Sequence, residues 1–137
     1  MEEIKRQVIH AETELLDALR NGELIRGVGM HLNSPDYKNI WNGEMKTYAE
    51  LHSRIAAAME KGLRSIDYQV AGRSIAILDD SNVMTTLEAT ETTHMANGDA
   101  ETSGKTVVSI LWRKLNGKWW LGYLHASEEL QAEASGV

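Results

Sequence analysis

The chain opens on a helical repeat of apolar positions and changes to a two-residue repeat at Gly62. Over residues 2–20, Ile4, Val8, Ala11, Leu15, Ala18 and Leu19 recur at i, i+3/i+4 spacing, which predicts an amphipathic helix. Asn21-Gly22 ends it, since Gly enters the left-handed region that closes a helix without a Cβ penalty. Residues 23–32 predict a second, short helix with Leu24, Ile25, Val28 and Leu32 inward; Gly27 and Gly29 each weaken it by about 1 kcal/mol relative to Ala. Asn33-Ser34-Pro35-Asp36 is a loop, and residues 37–41 form a short strand that stops at Asn42-Gly43. Residues 47–61 predict a third helix. Thr47-Tyr-Ala-Glu50 is a capping box, and Tyr48, Leu51, Ile55, Ala58 and Met59 form the apolar face.

After Gly62 the strands begin. Residues 63–71 alternate, with Ile66, Tyr68 and Val70 on one side, and residues 74–78 form a further strand. A turn at residues 79–82 leads into a long strand over 83–95, and a second turn follows at Asn97-Gly98-Asp99. Strands at 105–115 and 118–126 flank Asn116-Gly117, the strongest short-range signal for a hairpin, because a type I′ turn needs φ > 0 at both central residues. Helices followed by an antiparallel meander predict an α+β domain over residues 1–127, with a polar tail at 128–137 expected to fray.

At 137 residues the chain is one domain with room for a core. It has no Cys, which excludes disulfides, thiolate nucleophiles and Cys-based metal sites and suits a cytoplasmic protein. The net charge of -6 argues against nucleic acid. No run approaches the ~20 apolar residues of a membrane span, and the start MEEIKRQ is not a signal peptide. The five His are scattered without metal-ligand spacing, Gly27-Val-Gly29 lacks a third Gly and a preceding strand, and no G-x-S-x-G elbow occurs. No metal and no cofactor are therefore expected. The lack of Phe leaves four Trp and four Tyr as the large rings, each with a polar atom that needs a partner when buried. On the outer sheet face, Val107, Leu111, Trp119, Leu121 and Tyr123 are too apolar to leave in water, which predicts a homodimer through that face.

The closing sequence KTVVSILWRKLNGKWWLGYLHAS, with its W-R-K-x-x-G-K-W and L-H-x-S patterns, resembles the final hairpin of the calcium/calmodulin-dependent protein kinase II association domain. That domain's bacterial relatives include the SnoaL-like proteins of the nuclear transport factor 2-like superfamily. The resemblance runs almost without gaps from His52 to Ser127. It implies a cone: a curved antiparallel sheet on about three N-terminal helices, with a cavity at the wide end. In that family a His and three Arg line the cavity. The matching positions are His52, Thr90, Ile110 and Ala126, so the His is kept and the Arg are lost. A cavity without guanidinium groups cannot pair a small carboxylate bidentately. The expected lining is mostly apolar: Trp41, Tyr48, His52, Glu88, Thr90, Ile110, Trp112 and Ala126.

Two faces compete on the long strand. Plain alternation sends Val83, Leu87 and Ala89 to the core and Glu88 to water, whereas the resemblance sends Glu88 and Thr90 into the cavity. His52 and Glu88 are the acid–base candidates, each with a structural alternative: a core His, and a solvated sheet carboxylate. The implied function is binding of an unidentified small hydrophobic ligand, with cofactor-independent isomerisation, cyclisation or dehydration by one acid–base residue. The alternative is a non-catalytic association module.

Overall fold

The computed structural model describes residues 1–129. Three helices come first, interrupted by a small hairpin: α1 (Glu2–Arg20), α2 (Leu24–Val28), β1 (Lys38–Trp41), β2 (Glu44–Lys46) and α3 (Tyr48–Glu60). Five strands follow: β3 (Leu63–Asp79), β4 (Asn82–Met95), β5 (Ala100–Thr102), β6 (Thr106–Leu115) and β7 (Lys118–Glu128). They form one sheet in the order β2-β1-β7-β6-β4-β3, with β5 continuing the β4 edge beyond β6. The pairing is antiparallel except between β1 and β7, so the sheet is mixed rather than purely antiparallel.

Local signals act as the sequence predicts. Thr47 accepts from the Glu50 N–H at 3.2 Å and Glu50 accepts from the Thr47 N–H at 3.0 Å, which closes the capping box. Asn116 and Gly117 take φ of 53° and 75°, the left-handed pair that a two-residue hairpin requires. Asn42 and Gly43 repeat this at 50° and 84° and turn β1 back as β2. The second helix is shorter than expected and ends at Val28; His31 then bridges to Leu121 of β7.

Two bulges decide which side chains face the helices. In β3 the register slips between Val70 and Gly72, so residues 63–79 form one bent strand where two were expected. In β7, Leu111 pairs with Tyr123 and Trp112 with Leu121, which leaves Gly122 unpaired. A Cβ on Gly122 would lie 2.7 Å from Arg113 Cδ, so Gly suits the close approach. Beyond that bulge the alternation inverts. Trp119 and Leu121, expected on the outer face, turn into the core, and Val107, Leu111 and Tyr123 remain outside. The tail also begins later than expected: β7 runs to Glu128, whose N–H donates to Asn42 Oδ1. Residues 130–137, the rest of that tail, lie outside the described residues.

The core joins α1 to the concave face through Val8, Leu15, Val83, Trp112, Trp119 and Leu121. One polar chain crosses it. Glu12, on the buried stripe of α1, accepts from Arg73 Nε at 2.6 Å and from Thr85 Oγ1 at 2.9 Å. Trp112 Nε1 in turn donates to Thr85 Oγ1 at 3.1 Å. Four elements (α1, β3, β4 and β6) each contribute one residue, and among the described residues no buried side-chain polar atom is left without a partner.

Candidate functional site

A cavity of about 360 Å³ lies between the helices and the concave face of the sheet. Leu15 and Leu19 of α1, Leu51 and Ile55 of α3, and Leu87 and Leu124 of the sheet make it mostly apolar. No residue of α3 is fully buried, because the cavity occupies the space beneath it. Three polar groups interrupt the apolar lining.

The first is Tyr68 with Glu91, on neighbouring strands at paired positions. Both line the cavity, and the Tyr68 hydroxyl donates to Glu91 Oε2. Burial raises the Glu91 carboxyl above its usual range and outweighs the opposing hydrogen bond from Tyr68. Burial also pushes the Tyr68 phenol well above its ordinary value, with the Glu91 charge adding to it.

The second is His31 with Tyr37 and Asn39. Tyr37 Oη lies 2.6 Å from His31 Nδ1 and accepts from Asn39 Nδ2 at 3.2 Å. Asn39 supplies a proton to the hydroxyl, so the network assigns the hydroxyl's own proton to His31 Nδ1. His31 is then neutral with its proton on Nε2. Burial lowers its pKa to about 4, in agreement with that assignment.

The third is Glu44 with Lys46 and Arg54, where β2 faces α3. Lys46 Nζ lies 3.3 Å from Glu44 Oε1, and Arg54 contacts the same oxygen. These bonds hold the Glu44 carboxyl below its ordinary value.

Of the expected lining residues, Trp41 and Ile110 line the cavity. Trp112 and Ala126 face inward but are enclosed in the core, each 1% exposed. Tyr48 stands edge-on to Tyr37 with ring centroids 6.0 Å apart. His52 is exposed and is not part of the cavity lining; its ring lies 6.5 Å from that of Tyr48. Glu88 is exposed on the outer face, 3.8 Å from Lys105 Nζ, with Thr90 beside it on that face. Val83, Thr85, Leu87 and Ala89 are all buried, and β4 pairs with β6 without a register shift over Asn82 to Ala89. No bulge on that side brings Glu88 inward, so plain alternation holds and the resemblance is one residue out of phase on β4. The β4 carboxylate that lines the cavity is Glu91. It continues the inward run of Leu87 and Ala89 by two, which was its signal in the sequence. His31 had one too, at i+7 from Leu24 and i+3 from Val28.

The chain belongs to the SnoaL-like domain family, whose model matches residues 8–131. Its fold is that of the nuclear transport factor 2-like superfamily. A superfamily protein of Salmonella enterica serovar Typhimurium superposes with a TM-score of 0.78 at 13% identity, over 97% of this chain and 96% of that one. A Streptomyces avermitilis protein of the same family, described as a dehydratase, gives 0.77 at 15%, over 96% and 100%. A Xanthomonas campestris protein described as a calcium/calmodulin-dependent protein kinase II association domain gives 0.75 at 17%, over 93% and 89%. A search of curated proteins finds no significant match. Among the described residues no helix is long and apolar enough to cross a membrane, and no His, Asp and Glu side chains converge in a group fit for a metal ion.

Proposed function

We propose that the protein binds a small, mostly apolar molecule in this cavity and moves a proton on it without a cofactor. The observation that carries this is the Tyr68–Glu91 pair: a carboxyl raised above its ordinary value by burial, held by a phenol, on an apolar wall. A base whose pKa approaches the working pH transfers protons most effectively. Glu91 takes the proton from a carbon next to a carbonyl. The C–H electron pair moves onto the carbonyl oxygen as an enolate, and the neutral His31 offers its Nε2–H to that oxygen. Return of the proton from Glu91 at another position isomerises the molecule; alternatively, the enolate pair forms a Cα=Cβ bond as the β-hydroxyl takes that proton and leaves as water, which dehydrates it. The dehydratase description of a protein with this fold accords with that chemistry.

The test needs no knowledge of the natural substrate. Native mass spectrometry of the protein as purified should show a small mass that leaves on denaturation. In D2O, the protein should accelerate exchange of the α-protons of 2-tetralone, followed by NMR. Glu91→Gln should slow that exchange by about 10²–10⁴-fold, and the wild-type rate should fall as pH drops through the raised Glu91 carboxyl. Exchange no faster than in buffer, together with a bare native mass, would overturn the reading. Exchange that survives Glu91→Gln would remove Glu91 from it.

The outer face supports a two-fold dimer. Val107, Leu111 and Tyr123 form an apolar strip there, and a two-fold axis would cover the strip of one copy with the same strip of another. Sedimentation equilibrium at micromolar concentration should report two chains, and a monomer would sink the dimer.

A further inference from the structure

We propose that the ligand of this cavity is an apolar carboxylic acid, its carboxylate held between Lys46 and Arg54 and its ring system on the apolar wall. This rests on reading the cavity as a ligand site and adds the chemical class.

Lys46 is the unusual residue. Its side chain is 11% exposed, and it lines a cavity that is otherwise mostly apolar. Lys is almost never buried unless its charge is met. Among the described residues its salt-bridge partner is Glu44, whose own side chain is 57% exposed. Arg54 uses the same Glu44 oxygen and is 58% exposed. Two cations from two elements, β2 and α3, thus converge on one oxygen of one carboxylate at the solvent side of the cavity. Lys46 carries three donors and Arg54 five, so Glu44 leaves most of them for another acceptor.

The remaining charges agree. Glu50 neighbours this group, but its carboxyl is tied into the capping box of α3. Glu91, the other lining carboxylate, stands on β4 and is bonded to Tyr68. His31 is neutral. A ligand carboxylate between Lys46 and Arg54 therefore meets two cations and one carboxylate that can turn outward into water. A carboxylate accepting from both side chains forms charge-assisted bonds, roughly twice as strong as neutral ones. At about 360 Å³ the cavity is at the small end of ligand pockets, which suits an acid of one or two rings. The family's missing arginines do not bar an acid, because these two cations come from β2 and α3 rather than from the cavity strands.

The experiment compares 2-naphthoic acid with 2-naphthamide, a neutral molecule of the same shape, by titration calorimetry at pH 7. Wild type should bind the acid at least about tenfold more tightly than the amide. Lys46→Met should abolish that preference while keeping affinity for the amide, which shows that the variant is folded. Arg54→Gln, at an exposed position that leaves the fold intact, should reduce the preference in part. Equal binding of acid and amide by wild type would overturn this proposal and leave the ligand cavity standing. A preference that persists in both variants would also overturn it, since the acid then binds elsewhere. Binding of neither probe would count against the cavity as a site for ring-sized ligands, and the proposal would fall with it.

Discussion

Arg73→Met should destabilise the protein by about 2–4 kcal/mol, read as a fall in the urea midpoint at unchanged m-value. Arg73 is the cation that faces Glu12, and the Glu12 side chain is 1% exposed. Without the guanidinium, one carboxylate oxygen keeps its bond from Thr85 and the other loses its partner in a site closed to water. Removing one member of a buried pair costs about 3–5 kcal/mol. Arg73 is itself 30% exposed, so solvent screens part of the interaction and the expected loss falls to about 2–4 kcal/mol. The loss reflects an orphaned charge rather than the worth of the pair. Glu12→Leu combined with Arg73→Met should therefore recover most of the stability, since Leu fills the stripe between Val8 and Leu15. A double variant as unstable as Arg73→Met alone would show that the Glu12 charge is not the cause.

This network also marks where sequence stops predicting structure. The helices, the α3 cap and the closing hairpin depend on residues within a few positions of one another, and those signals were legible. Glu12 was not. Its place on the α1 stripe was visible, but the Arg that makes burial tolerable lies 61 residues away. β2 and β5 span three residues each, too few for any period to show, and their side chains are largely polar. The bulges at Ala71 and Gly122 respond to sheet curvature, a property of all the strands together, and the one at Gly122 decides that Trp119 and Leu121 turn inward. The site was half legible for the same reason. The inward phase of β4 was written in Val83, Leu87 and Ala89 and extends to Glu91. An alignment one residue out of phase shifts attention to Glu88 and the opposite face. Convergence of Lys46 with Arg54, or of His31 with Asn39, needs the fold itself.

Acid should weaken the protein through His31, and the sign follows from the direction of its shift. Burial lowers the folded-state pKa from 6.5 to about 4. Between those values the unfolded chain holds a proton on this His and the native protein does not. Stability from this group is complete above about pH 6.5 and is lost as pH falls toward 4, by on the order of 3 kcal/mol. Structure gives the same answer: a proton on Nδ1 would displace the one that Tyr37 donates at 2.6 Å, inside a site with no room for a charge. Glu91 works in the opposite sense. Its raised carboxyl keeps a proton in the native state over a window where the unfolded chain has lost it, so it gains stability as pH falls and blunts the overall slope. Single variants separate the two. His31→Gln retains an acceptor for Tyr37 without a titrating group, and its urea midpoint should fall less than wild type between pH 7.5 and 4.5, by the equivalent of about 2–3 kcal/mol. Glu91→Gln should raise the midpoint at pH 7.5 and make the acid loss steeper. Parallel pH profiles for wild type and His31→Gln would mean that His31 binds protons equally in the native and unfolded states, and that burial does not depress it.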